Sequence, residues 1–163
     1  MLGRREAFIA MMLAVAQWLA CGAALAGLSA AERADVAEIV RERPRIDLEV
    51  SFESRSSKIR IRSGAFHALS ALGRALTEPS LRDNVYVVAG HSAVEGRGEA
   101  YSQDLSERRA DAVKRFLVEN FDVRPDTLVA VGYGRSKPKS LDDPYATENQ
   151  RVQIVNMGND AAK

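Results

Sequence analysis

The chain has 163 residues, is 46% hydrophobic and 28% charged, and carries 23 Lys and Arg against 22 Asp and Glu. That length suits one domain, and the balance fits neither a disordered polyelectrolyte nor a multi-span membrane protein. A net charge of +1 supplies no basic field for nucleic acid, while one cysteine with two histidines excludes an internal disulfide and the usual tetrahedral zinc set.

The N-terminus reads as an export signal. Arg4 and Arg5 precede a short apolar run, Ala7 to Ala20, broken only by Gln17 and thin for a membrane span. Ala24-Leu25-Ala26 forms an A-x-A cleavage site, and Leu19-Ala20-Cys21 resembles a lipoprotein box. Trp18 stands where such a box carries Leu, Val or Ile, so cleavage after Ala26 is the preferred expectation, and acylation of Cys21 with outer-membrane association is the alternative. Loss of residues 1–26 leaves 21 basic and 21 acidic residues and no cysteine, which suits the oxidising bacterial periplasm.

In Ala30 to Arg43, Val36, Ile39 and Val40 share one helical face, and Pro44 ends this lead-in helix, so residues 27–45 read as helix and linker. Ile46, Leu48, Val50 and Phe52 alternate with Asp47, Glu49 and Ser51, which predicts a strand with one buried face. Ser63 is the expected N-cap of a helix carrying Phe66, Leu69, Leu72 and Leu76, closed by Glu78-Pro79. Val85 to Ala89 is a continuous apolar run, as in a central strand. After the Gly96/Gly98 loop a long helix is expected over Tyr101 to Phe121, then a strand over Leu128 to Val131. The Pro-containing loop from Arg135 to Thr147 leads to a last strand with Val152, Ile154 and Val155. The order β-α-β-α-β-β predicts an α/β two-layer sandwich over residues 46–158, helices packed on one face of a mixed sheet, with 159–163 as a polar tail.

The long helix holds one anomaly. Stepping 100° per residue from Leu105 puts Arg109, Ala112 and Phe116 within about 40° of it, so an arginine lies in the apolar stripe. Such a residue snorkels, pairs with a buried carboxylate, or meets an anionic ligand. No enzyme is signalled. His91, closing a strand, has no serine or cysteine nucleophile with an orienting acid to serve, and reads as a hydrogen-bonded structural residue. His67 sits on an ordinary helix, Tyr133 reads as packing at the sheet edge, and Gly96-Arg97-Gly98 completes neither phosphate-binding glycine pattern.

Leu105-Ser106-Glu107-Arg108-Arg109-Ala110-Asp111-Ala112-Val113 with Leu117 resembles the L-S-x-x-R-A-x-x-V-x-x-x-L signature of OmpA-like peptidoglycan-binding domains. Ala89-Gly90-His91-Ser92 resembles that family's G-H-T-D strand end, Val131-Gly132-Tyr133-Gly134 its G-Y-G turn, and Asn149-Gln150-Arg151-Val152 its N-R-R-V strand, all in order within residues 46–157. The resemblance implies a non-catalytic, cofactor-free and metal-free periplasmic module. It would hold peptidoglycan at diaminopimelate, whose carboxylate suits a forked arginine and whose ammonium suits an aspartate. Carried over residue by residue, it points to Arg109, His91, Ser92, Ser102, Leu105, Ser106 and Arg151 as the ligand-binding set, with other envelope proteins as further partners. The departures are Ala93 where the family has aspartate, Ser102 for an asparagine, Gln150 for an arginine, and one extra residue between His91 and Arg109 that signals an insertion near Glu95 to Gly98. Glu95 is therefore a candidate for the missing acid. A scaffold that has lost its ligand and serves protein interaction is the alternative reading.

Overall fold

The computed structural model describes residues 29–158, apart from 41, 42, 49, 51, 54 and 61–63. The leader, the Ser63 cap and the tail from Asn159 onward lie outside the described residues. Among the described residues, three α-helices and four strands follow in chain order: α1 (Ala30–Val40), β1 (Arg45–Leu48), α2 (Gly64–Leu76), β2 (Val85–Gly90), α3 (Glu99–Phe121), β3 (Leu128–Gly132) and β4 (Val152–Gly158). The sheet order is β1-β4-β2-β3; β2 and β3 are parallel and the other neighbours antiparallel. Every expected helix and strand in the described region is present, and the sheet is mixed, as expected.

Residue parity divides the sheet. Even-numbered Leu48, Tyr86, Val88, Leu128, Val152 and Ile154 face α2 and α3, meeting Leu69, Leu76, Val113 and Leu117 in the larger core. Odd-numbered Val87, Ala89, Val131, Tyr133, Val155 and Met157 line the opposite face, where Val36 of α1 joins them. The sequence pattern set α1 outside the domain, yet Val36 is only 5% exposed and Arg33 forms an ion pair of 3.0 Å with Glu107 of α3. A reciprocal capping box starts α1: the Glu32 amide donates to Ser29 Oγ at 3.3 Å and the Ser29 amide to Glu32 Oε2 at 2.8 Å.

The first strand is a partial correction. It ends at Leu48, with Phe52 returning only in an isolated bridge to Ile59, and Ile46 is 58% exposed despite pairing with Ile154. β1 is an edge strand, and alternation marks a face without saying how far along it the helices reach. The other edge, β3, is partly blocked, because Lys114 Nζ of α3 donates to the Leu128 carbonyl at 2.8 Å.

Helix α3 lies directly on the ends of β2 and β3. A Cβ on Gly90 would collide with the Ser106 carbonyl oxygen, and one on Gly132 would fall 2.6 Å from both Glu107 N and Ser106 Oγ. Ser106 Oγ in turn donates to the Gln103 carbonyl at 2.8 Å and accepts from the Gly134 amide at 2.9 Å. Alanine at Gly90 must push helix from sheet, so Gly90→Ala is expected to destabilise by about 1–3 kcal/mol in urea unfolding. Gly64 has open space where its Cβ would be, and Gly64→Ala at the start of α2 is expected to be neutral or stabilising by up to about 1 kcal/mol in the same measurement.

Candidate functional site

The strand ends that carry the motifs, the start of α3 and the segment after β1 gather at one end of the sheet. Leu105, Ser102 and Ser106 have no exposed surface, so these three expected ligand contacts instead anchor α3. Arg109, one turn on, is 5% exposed and reaches across the sheet toward β4. Its Nε donates to the Ser56 carbonyl at 3.1 Å, its Nη1 to Gln150 Oε1 at 3.4 Å, and its guanidinium lies 4.7 Å from the centre of the Phe52 ring. Burial disfavours its charge, Tyr101 opposes that effect and Arg108 adds to it. No carboxylate pairs with it and its Nη2 makes no hydrogen bond among the described residues. Of the three fates open to an arginine in an apolar stripe, pairing with a buried carboxylate is thus not the one adopted.

Ser56, Phe52 and Gln150 were not singled out as site residues from the sequence. Ser56 acts through its backbone carbonyl, which leaves no compositional trace, and Phe52 read as strand core. Gln150 had a visible signal, since it replaces an arginine of the family pattern. That replacement sets a neutral acceptor beside Arg109 in place of a second cation.

Ala93 is 3% exposed and contributes no charge. Glu95 stands exposed in the turn around Gly96, whose φ is 72°, and makes no hydrogen bond or ion pair with any described residue; the structure does not bring it to Arg109. The same loop is held instead by Arg135, which donates to the Arg97 carbonyl and, from Nε, to Ser102 Oγ at 3.2 Å. Arg97 and Arg135 also lie over the rings of Tyr101 and Tyr145. The long loop before β4 is fastened by buried Asn149: its Oδ1 accepts from the Lys139 and Ser140 amides, and its Nδ2 faces the carbonyls of Ser140, Asp143 and Pro144 at 2.8–3.2 Å.

The structure separates His91 and Arg151 from Arg109. Both continue the odd-numbered face, away from α3. His91 is 2% exposed, with Nε2 2.9 Å from Gln153 Oε1 and its ring 5.5 Å from that of Tyr133. Arg151 donates to the Lys137 carbonyl at 3.3 Å and sits 3.9 Å from Asp47. Burial would raise the Asp47 pKa, but a hydrogen bond from Gln153 and the charges of Arg151 and Lys139 hold it below the ordinary value. Ser92 is wholly buried, its Oγ makes no hydrogen bond, and its amide donates to the Gly134 carbonyl. His91 and Arg151, expected from sequence to touch ligand with Arg109, instead join a polar layer on the other face with Gln153 and Asp47, while Ser92, also expected at the ligand, is buried with its hydroxyl unbonded.

Burial, with Arg151 nearby, pushes the His91 pKa down to about 4, while Gln153 and Asp47 oppose the shift. The unfolded chain therefore takes up a proton near pH 6.5 that the folded chain refuses until about pH 4. Stability is expected to fall across that window by at most about 1.4 kcal/mol per pH unit and to level off below it. Urea unfolding at pH 7 and pH 4.5 reads this, and His91→Gln should flatten the difference whatever its effect at pH 7.

A model of the OmpA family matches residues 51–153. Outer membrane porin F of Pseudomonas aeruginosa is 38% identical over 104 residues, which are 63% of this chain but only 27% of porin F. The chain thus spans about a quarter of that relative's length. Among solved structures, the peptidoglycan-associated lipoprotein from Burkholderia pseudomallei is 25% identical with a TM-score of 0.55, covering 66% of this chain and 88% of the other. The OmpA-like domain of FopA1 from Francisella tularensis, 18% identical, has a TM-score of 0.57 over 68% of this chain and 70% of its own, and shares the fold. No helix among the described residues is long and apolar enough to cross a membrane. Motif order, sheet topology and the family match agree, and the chain belongs to the OmpA family.

Proposed function

We propose that this domain is a non-catalytic module of the cell envelope that binds peptidoglycan non-covalently and so tethers or senses the wall. Arg109 would receive a carboxylate of the diaminopimelate in the stem peptide. The observation that carries this reading is the state of Arg109: a nearly buried guanidinium, fixed by a backbone carbonyl and an aromatic ring, with neither a carboxylate partner nor a hydrogen bond to Nη2 among the described residues. A buried arginine costs desolvation energy that a structural ion pair would normally offset. Here that partner is left to a ligand, and a planar carboxylate fits the fork. The family and the name of the Burkholderia lipoprotein support peptidoglycan as the source of that carboxylate. The periplasm is the compartment this implies, with outer-membrane association if Cys21 is acylated, and other envelope proteins are natural neighbours there. Of the residues expected to touch ligand, Arg109 remains the principal one, joined by Gln150 and Phe52.

Purified protein is expected to co-sediment with isolated sacculi, and Arg109→Ala to lose that co-sedimentation, at a cost of about 2–5 kcal/mol for truncating one partner of a desolvated charged contact. A thermal melt must show the variant folded. Ala93→Asp is expected to strengthen retention of a free diaminopimelate ammonium by about 1.5–3 kcal/mol where the loop accepts the side chain. A folded wild type that sacculi never retain would reject wall binding and leave the scaffold reading.

A further inference from the structure

The charges around Arg109 bear on which form of its ligand the site prefers. The described acids on the segments that converge on this end of the sheet include Glu53, Glu95, Glu99, Asp104, Glu107 and Glu148, of which Glu107 is held by Arg33 at 3.0 Å. Glu53 pairs with Lys58 at 3.2 Å, and Asp104 with Arg108 at 2.7 Å on the exposed side of α3. Glu95, Glu99 and Glu148 are exposed and make no contact with Arg109. What touches or acts on the guanidinium is a carbonyl, an amide oxygen, two aromatic residues and the like charge of Arg108. Arg97 and Arg135, the cations of the neighbouring loops, are engaged with carbonyl, hydroxyl and ring partners. The site offers strong recognition to an anion and none to a cation bonded one carbon away from it.

On the reading that Arg109 binds a diaminopimelate carboxylate, we infer that the site selects diaminopimelate whose side-chain amine is acylated, as it is within a peptide cross-link, over diaminopimelate whose amine is free. Acylation turns the ammonium into a neutral amide and leaves the neighbouring carboxylate intact. A free ammonium must be brought beside a buried guanidinium that no acid among the described residues balances, and like charges in a poorly solvated site repel. An amide removes that repulsion, and its apolar substituent can lie against the exposed part of the Phe52 ring. The domain would then report on, or hold to, joined strands of the wall rather than unjoined stems.

The test uses one stem tetrapeptide in two forms, its diaminopimelate amine free or acetylated, titrated into the whole protein by calorimetry. The acetylated form is expected to bind about tenfold more tightly, a difference of about 1.4 kcal/mol. Gln150→Glu, a change at a half-buried position, sets a carboxylate on Arg109 Nη1 and is expected to weaken the acetylated peptide and to reverse or abolish the preference. Equal binding of the two forms by wild type, or tighter binding of the free amine, overturns the inference while leaving wall binding intact if sacculi are still retained. Failure of both peptides together with failure of sacculus retention overturns the function itself. Binding of the acetylated form that survives Arg109→Ala in a folded variant would also overturn the inference, because the carboxylate would then be held elsewhere.

Discussion

The structure depends on how closely α3 can approach the sheet. With glycine at the ends of β2 and β3, the backbone of Ser106 and Glu107 rests on the strands themselves, without an intervening layer of side chains. Ser106 then fastens the helix to the Gly134 amide, and Ala110, Val113 and Leu117 pack into the core below. This contact is why an arginine in the fourth position after Leu105 is carried over β2 to meet β4. A helix raised by one side-chain layer would hold Arg109 away from Ser56 and Gln150, and its guanidinium would lie in solvent. Helix-to-sheet spacing therefore controls the chemistry of the site.

The tripeptide Asn149-Gln150-Arg151 distributes three roles across three directions. Asn149 secures the loop, Gln150 meets Arg109 on the helix side, and Arg151 enters the polar layer with Asp47, Gln153 and His91 on the other side. Strand alternation dictates this split, since neighbouring residues at a strand start must face opposite ways. The two faces are thus tied through consecutive peptide bonds, although their side chains belong to separate networks.

Much of the fold was legible in sequence because its signals are local: the apolar run of β2, the period of α3 and the glycine turns each lie within a few residues. The missed features are of another kind. Ser29 and Glu32 form a capping box that the spacing S-x-x-E carries openly, yet α1 read as a detached lead-in because its buried Val36 finds its partners more than forty residues away. Ile46 alternates like its neighbours but lies where an edge strand outruns its cover. At the site, Arg109 stood out through a conflict between charge and periodicity, whereas its partners Ser56 and Gln150 are separated from it by 53 and 41 residues. The grouping of His91 and Arg151 with Arg109 followed motif order. Parity along β2 and β4 would have assigned both to the opposite face, had the helices' side of the sheet been known.

The Asn149 clamp has a kinetic consequence. A loop from Arg135 to Ala146 without regular structure would ordinarily sample many shapes, and any partner needing it would have to wait for the right one. One amide side chain, accepting from two backbone amides and sharing its two N–H donors among three carbonyls, selects the loop's shape during folding, when the cost in chain entropy is shared with the whole domain. An incoming molecule then meets Gln150, Arg135 and Tyr145 already in place. On the proposed wall-binding reading, its capture rate would be governed by diffusion and orientation rather than by loop rearrangement, and a weakly held ligand would exchange quickly along a large, repetitive surface.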